Sequence, residues 1–344
     1  MKAVNYDEHG SVEVLQYRDV ADPEPGPVDV VVGVEACALN RLDLVQRAGH
    51  YTLPGYTLPH IAGMDTAGTI VEVGSEVTDV AVGDRVVVDP SLAGVDDRSQ
   101  LSGMGDLYGD LGVLGGTVAG GYAERCVVPA SHVYRVPDGI AIEEAATFPT
   151  CFLTASHALF PVGGLSAGET VLIHAAGSGV SVAAIQLAVA AGATVIATAG
   201  TQEKLDLAEQ LGAAHVFNNR TGDVTGWARQ VTQGRGVDMV LDHVGTALFG
   251  PSLFTIAPKG RLVSCGNTSG DEATIPSLGF VFHMGISIRG SDPYPPEEFG
   301  PTWDTFCTGG FTSVIDEQYP LADAAKAQTR LEANDVIGKV VLRP

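Results

Sequence analysis

Between Glu169 and Glu203 the chain has no Asp, Glu, Lys or Arg, although such residues make up 17% of the whole. A run of this kind is long enough for a membrane helix, which needs roughly 20 mostly apolar residues. Its composition points elsewhere. Glycine stands at 177, 179 and 192, Ala, Ser and Thr are dense, and β-branched ends (TVLIH and TVIAT) flank an alanine-rich middle. Strand, glycine turn, helix, turn, strand is the better parse, with strands apolar throughout because both faces are covered. Lysine is scarce: it occurs five times, and 19 basic residues face 41 acidic ones, for a net charge of −22. That balance repels nucleic acid and anionic membranes, so neither is expected as a partner. It suits solubility in concentrated salt, a halophilic trait. The five cysteines form no CxxC and no paired framework, so a reducing, cytoplasmic location is expected. Met1 is followed by no charged-then-apolar leader.

A chain of 344 residues has room for two domains. Residues 1 to about 90 read as short strands with Gly/Pro turns: KAVNY, EVLQYRDV, DVVVGVEACAL, AGTIVEVG and DRVVV. Residues 91–121 form a long glycine-rich loop, of the kind that has a task or has lost one. From residue 141 a helix, broken at Pro149, bridges the lobes. Beyond the charge-free unit, helices and strands alternate: QEKLDLAEQLGA, HVFNN, VTGWARQVTQ, GVDMVLDHVG, ALFGPSLFTIA, GRLVSCG and ISIRGS. That alternation predicts a doubly wound parallel sheet. The last fifty residues return a helix and a strand to the first lobe. The expected division is a β-rich domain at 1–147 and 292–344 and a dinucleotide-binding domain at 148–291.

The turn AAGSGVS at 175–181 carries the dinucleotide reading. There the backbone must approach a pyrophosphate closely, and a helix N-terminus offers free N–H groups. The usual G-x-G-x-x-G positions hold Ala176, Ser178 and Ser181, with Gly177 and Gly179 displaced by one. A tight αβ turn without a ligand is the alternative, and the flanking strand and helix favour the cofactor.

In combination, the β lobe with its VGDRV turn, this βαβ unit, GVDMVLDHVG and GRLVSCG resemble the medium-chain dehydrogenase/reductase superfamily over nearly the whole chain. The resemblance implies a GroES-like catalytic lobe and a Rossmann cofactor lobe with the active site between them. In the zinc branch a catalytic Cys precedes an Asp by three residues, but CALNRLDL puts Asn40 before Asp43. The Gly-His-Glu of that branch is Gly63, Met64, Asp65, and its third ligand position falls at about Thr150. Asn, Met and Thr do not make the ligand set that zinc requires. His60, Cys37, His50 and Cys151 are conceivable substitutes, each more simply read as core or surface. Four structural-zinc cysteines would align with Gly94, Asp97, Gln100 and Tyr108, so no metal is expected.

What remains is similar to the zinc-free quinone oxidoreductase branch, whose N-x-x-D-x-x-x-R-x-G-x-Y pattern is Asn40, Asp43, Arg47, Gly49 and Tyr51. The resemblance implies that Asn40 and Tyr51 face nicotinamide and substrate. Alternatively Asn40 caps the next helical turn and Tyr51 fills an apolar wall. SDPYPPEEF at 291–299 departs from the plainer loop of relatives. Without a metal, hydride from NAD(P)H needs an electron-poor acceptor, a quinone or an α,β-unsaturated carbonyl, whose oxygen is met by hydrogen bonds. Asn40, Tyr51 and Asp43 are the expected catalytic residues. The cofactor set is Thr154, Ala176, Gly177, Ser178, Gly179, Val180, Gly200, Thr201, Lys204, Arg220, Asp242, Gly245, Gly266 and Asn267. The second strand ends in Ala199-Gly200-Thr201, without the carboxylate that selects NAD. NADPH is therefore expected, with NADH second, Lys204 and Arg220 pairing with a 2′-phosphate. Two alternatives stand: a zinc-dependent alcohol or aldehyde dehydrogenase with substitute ligands, and a non-catalytic NADPH-binding protein. A homodimer paired through ISIRG is expected from the family.

Overall fold

The computed structural model describes residues 1–92, 112–291 and 294–344, and by internal contacts the chain divides into two units. The first comprises Met1–Thr150 and Pro295–Pro344. Its opening strands are β1 (Lys2–Asn5), β2 (Gln16–Asp19), β3 (Asp29–Ala38), β4 (Asp65–Val73), β5 (Arg85–Val88), β6 (Arg125–Pro129) and β7 (Val133–Arg135). The second unit, Cys151–Tyr294, carries β8 (Thr170–Ile173), β9 (Thr194–Ala199), β10 (His215–Asn218), β11 (Val237–Asp242), β12 (Ile256–Ser264) and β13 (Ser287–Gly290). The chain then returns to the first unit with β14 (Ile315–Pro320) and β15 (Lys339–Arg343).

In the first unit β1 and β2 make an antiparallel hairpin, and a larger sheet runs β14-β15-β3-β4-β5-β7 with β6 also paired to β3. Ten-residue β3 is central because alternate residues Val30, Val32 and Val34 enter the core with Ile70, Val86, Val88 and Leu342. Its far end pairs with β15 through Val341 opposite Ala38, and Ala38 pairs with Asp65 on the other side. This register brings the starts of β4 and β15 beside the residues that follow β3. Gly63, at φ +105°, makes the entry to β4 possible: a Cβ there would lie 2.6 Å from the Tyr122 ring and 2.7 Å from Cys37 Sγ. The helix Phe299–Thr308 is pinned by Phe148, whose ring meets Phe299, Trp303 and Phe306.

The second unit is an all-parallel six-stranded sheet in the order β10-β9-β8-β11-β12-β13. This is the doubly wound dinucleotide-binding order, with its switch point between β8 and β11. The fold class is the α/β one expected, with one Rossmann-type unit and one GroES-like β-rich unit.

Four local expectations are corrected. Glu13 and Val14, which open EVLQYRDV, lie in a 3₁₀ turn (Val12–Val14) capped by Ser11, and strand begins only at Gln16. The helix read over ALFGPSLFTIA is confined to Phe249–Leu253, because Ile256 already pairs with Val237 as the start of β12. A helix at Leu278–Met284, capped by Ser277, was not expected. The C-terminal fifty residues hold helices Phe299–Thr308 and Ala324–Glu332 and two strands, where one of each was expected. Among the described residues no helix is long and apolar enough to cross a membrane.

Candidate active site

In the first unit, Asn40, Asp65, Thr150 and Lys339 meet. Asn40 follows β3 and opens the helix Arg41–Ala48 with extended backbone, φ −126° and ψ 159°. Its side chain does not cap that helix. Instead Lys339 Nζ donates to Asn40 Oδ1 at 2.7 Å and to Asp65 Oδ2 at 2.9 Å. Asp65 is fully buried, and its other oxygen, Oδ1, accepts from the Thr150 backbone N–H at 2.9 Å and from the Thr150 hydroxyl at 2.6 Å. A carboxylate at the start of the helix Pro149–His157 also meets that helix's positive dipole end. The capping explanation for Asn40 is thus replaced by an ammonium contact. Asn40 Nδ2, in a residue only 9% exposed, has no hydrogen-bond partner among the described residues.

Asp43 occupies a second layer. Its Oδ2 accepts the Asn40 backbone N–H at 2.8 Å and the Tyr122 hydroxyl at 3.1 Å. Burial pushes its carboxyl up to about 6, against the pull of the Asn40 hydrogen bond and of Lys339. Arg47 donates to Gln328 Oε1 at 2.6 Å and to the Gly10 carbonyl, and pairs with Glu332. Asp43 and Arg47 therefore fasten the helix that Asn40 opens, and Asp43 has no exposed surface. Tyr51 lies beyond Gly49, the left-handed helix cap, and is 46% exposed.

The substitutes proposed for zinc are otherwise engaged. His60 Nε2 meets the Gly115 carbonyl at 2.9 Å, its ring lies against Tyr6 and Tyr56, and burial lowers its pKa. Cys37 is buried, with its thiol held well above the usual range by desolvation. His50 is exposed. Among the described residues no three His, Cys, Asp or Glu side chains come together as metal ligands. Asn40, Met64 and Thr150, with an ammonium between Asn40 and Asp65, do not fit the donor set of Zn²⁺. Positions 94, 97, 100 and 108 lie outside the described residues.

In the second unit, the turn after β8 is assembled by hydroxyls and imidazoles. Ala175 adopts φ +49°, and Ser178 caps the helix Gly179–Ala190 by accepting from Ser181 N–H. The Ser181 hydroxyl donates to the His174 carbonyl at 2.7 Å, so the 2.7 Å contact with His243 is a donation from His243 Nε2–H. His174 is fully buried. Ser252 spends its proton on the Leu248 carbonyl, so His174 Nε2–H donates to Ser252 Oγ, and Nδ1 accepts from Thr198. Desolvation, aided by His243, drives the His174 pKa down to about 3. Sequence reasoning missed this network; its only signal was a histidine ending an otherwise apolar strand. It also missed Lys339, whose signal is a lysine heading the buried run VVL.

The residues expected to hold the cofactor, Thr154 apart, lie at or follow the carboxyl ends of strands of the parallel sheet. A Cβ on Gly177 would lie 2.6 Å from Lys204 Cγ, and one on Gly200 2.5 Å from Arg220 Nε. The two cations therefore lean over the two glycine positions. Thr201 is the N-cap of the helix Gln202–Gln210, and its side chain makes no capping bond. Ala176 is buried, while Gly179 and Val180 begin the helix after the turn. Asp242 Oδ1 accepts from Val244 and Gly245 N–H; Oδ2 is buried without a partner among the described residues, and burial raises the carboxyl's pKa. Gly245, at φ +82°, packs against Gly270 and Asn267, and Gly266 against His243. Asn267 donates to Asp271. Thr154 sits mid-way along the helix Pro149–His157, partly buried. Side-chain-free glycines under two cations fit an anionic dinucleotide.

A family model for the alcohol dehydrogenase GroES-like domain matches residues 26–138, and one for zinc-binding dehydrogenases matches 179–307. A quinone oxidoreductase from Pseudomonas aeruginosa is 34% identical over 100% of this chain and 99% of its own length. The chain belongs to the medium-chain dehydrogenase/reductase superfamily, in its quinone oxidoreductase-like branch. It is an oxidoreductase that uses a nicotinamide cofactor on small molecules. Among solved structures of the superfamily, an NAD-dependent alcohol dehydrogenase is 39% identical with a TM-score of 0.94, covering 100% of both chains. A quinone oxidoreductase from Pseudomonas syringae pv. Tomato is 31% identical with a TM-score of 0.83, covering 100% of this chain and 99% of its own.

Proposed function

We propose that this oxidoreductase is an NADPH-dependent reductase of quinones or α,β-unsaturated carbonyls that needs no metal. One observation carries the reading: a lysine ammonium stands between Asn40 and Asp65, where members with zinc would present metal ligands. Lys339 thus holds together the polar groups that a cation would otherwise organise. Loss of a Lewis acid disfavours unactivated alcohols and favours acceptors that are already electron-poor.

When bound, the nicotinamide supplies the hydride. The chain's own residues then have three tasks. Gly177, Ser178 and the first N–H groups of the helix Gly179–Ala190 hold the pyrophosphate, with Thr154, Gly179 and Val180 beside them. Thr201, Lys204 and Arg220 meet a 2′-phosphate, which no carboxylate at Ala199-Gly200-Thr201 repels. Asp242, Gly245, Gly266 and Asn267 border the nicotinamide end. Charge developing on the acceptor oxygen is met by Asn40 and Tyr51, and the proton arrives from Tyr51 or water. Asp43 acts by holding the Asn40 backbone. A homodimer, cytoplasmic residence and adaptation to concentrated salt complete the proposal. Leu278, Phe282 and Ile288 beside the edge strand β13 are exposed apolar side chains that a second copy would cover.

A second reading has one point in its favour, the 39% identity to a protein described as an NAD-dependent alcohol dehydrogenase. An acceptor screen in high salt decides between them. Turnover of 1,4-benzoquinone or an enone with NADPH, unaffected by chelator, is expected. Chelator-sensitive alcohol oxidation with NAD alone would overturn the proposal.

A further inference from the structure

We infer that Lys339 is a positioning residue: by engaging Asn40 Oδ1 it fixes the carboxamide so that Nδ2 is the donor for the acceptor's carbonyl oxygen. This rests on the metal-free reading above and adds to it a named atom. A free carboxamide can turn over and present either oxygen or nitrogen, whereas an ammonium has donors only and so binds just the oxygen. The 2.7 Å contact therefore selects one of two orientations. Asp65 holds the ammonium from its other side, and Thr150 holds Asp65 with its N–H and hydroxyl. The chain of contacts thus begins at a helix terminus and ends at an amide nitrogen. That nitrogen is buried and has no partner among the described residues. Buried donors are almost always satisfied, so an orphan in a family active site marks a place where a ligand atom completes the bond. The positive charge on Oδ1 also polarises the amide and strengthens its N–H as a donor. With the ammonium engaged by Asn40 and Asp65, Lys339 acts through the amide.

The test uses the intact enzyme with NADPH and 1,4-benzoquinone, and three variants. Lys339→Met frees the amide, and kcat falls about 100-fold, the loss that removal of one oxyanion donor brings, while the KM for NADPH is unchanged. Asn40→Asp keeps the partner of Lys339 but deletes the donor; it remains folded and loses kcat to a similar degree. Lys339→Arg, which keeps a donor for Oδ1, recovers part of the rate. In parallel, ¹⁵N-asparagine labelling reports on the amide directly, since the chain has only six asparagines. The Asn40 NH₂ pair, assigned by its absence in Asn40→Asp, shifts in Lys339→Met. A Lys339→Met enzyme within threefold of wild-type kcat overturns the inference and leaves the metal-free reading standing. A wild type inert with every acceptor sinks the functional reading; an Asn40 NH₂ signal that does not move in Lys339→Met then overturns the orientation claim as well.

Discussion

Replacing His174 by glutamine tests how the cofactor turn resists acid. The imidazole is fully buried and neutral, donating to Ser252 and accepting from Thr198. In the unfolded chain it takes up a proton near pH 6.5; in the folded protein, desolvation delays this to about pH 3. A folded pKa below the unfolded one means that stability present above pH 6.5 is lost as pH falls towards 3. Each pH step below 6.5 removes about 1.4 kcal/mol, so His174 alone withdraws roughly 2 kcal/mol at pH 5. Asp43 acts in the opposite direction. Its carboxyl is raised to about 6, so it adds stability as pH falls through that value, about 1 kcal/mol by pH 5. Glutamine keeps one donor and one acceptor for Ser252 and Thr198 but cannot titrate. Urea unfolding at pH 7.5 and 5 measures the difference. Trp227, stacked on Phe217, reports on the second unit once Trp303 is changed to Phe. Between the two pH values the wild type should lose about 2 kcal/mol more than His174→Gln. Equal losses would refute the assignment of His174 as the acid-sensitive group.

Three further outcomes are expected. Arg220→Ser should raise the KM for NADPH about 10- to 100-fold, as loss of a charged hydrogen bond would, and leave NADH unchanged; Gly200→Asp should reverse the preference, both read by initial rates. Arg261 binds Glu169 with two nitrogens at 2.7 Å and donates to the carbonyls of Gly163 and Asp238. Arg261→Leu strands those oxygens and should cost about 3 kcal/mol, the lower end for a broken buried pair because Glu169 keeps some solvent, measured by urea unfolding. Phe282→Glu, on an exposed ring of the helix Leu278–Met284, should turn a dimer into a monomer by light scattering; a wild type that is already monomeric would remove that expectation.

The sheet of the second unit was legible because its strands are buried on both faces and its helices recur at regular spacing, as in TVLIH, TVIAT and GVDMVLD. Strand order came only with the structure. The helix Leu278–Met284 escaped because seven residues, several of them apolar on exposed faces, give no amphipathic period. The strand assigned to Glu13 and Val14 failed because the Ser11 hydroxyl captures a backbone N–H and turns the chain. In the site, the replacement of zinc ligands by Asn40, Met64 and Thr150 could be read directly from residue types. Lys339 could not, since nothing local links it to Asn40 across 299 positions. Only the pairing of β15 with β3 makes them neighbours. The His174 network was hidden for a similar reason, because Thr198 and Ser252 come from separate elements.

The pairing of β15 with β3 also fixes the order of assembly. Asn40 and Asp65 leave the ribosome early, and their ammonium partner follows only after the whole parallel sheet has been synthesised. A nascent chain can therefore complete the parallel sheet while the corner at Asp65 still awaits its counter-charge. Completion of that corner by β15 therefore waits on a segment translated after every strand of the second unit.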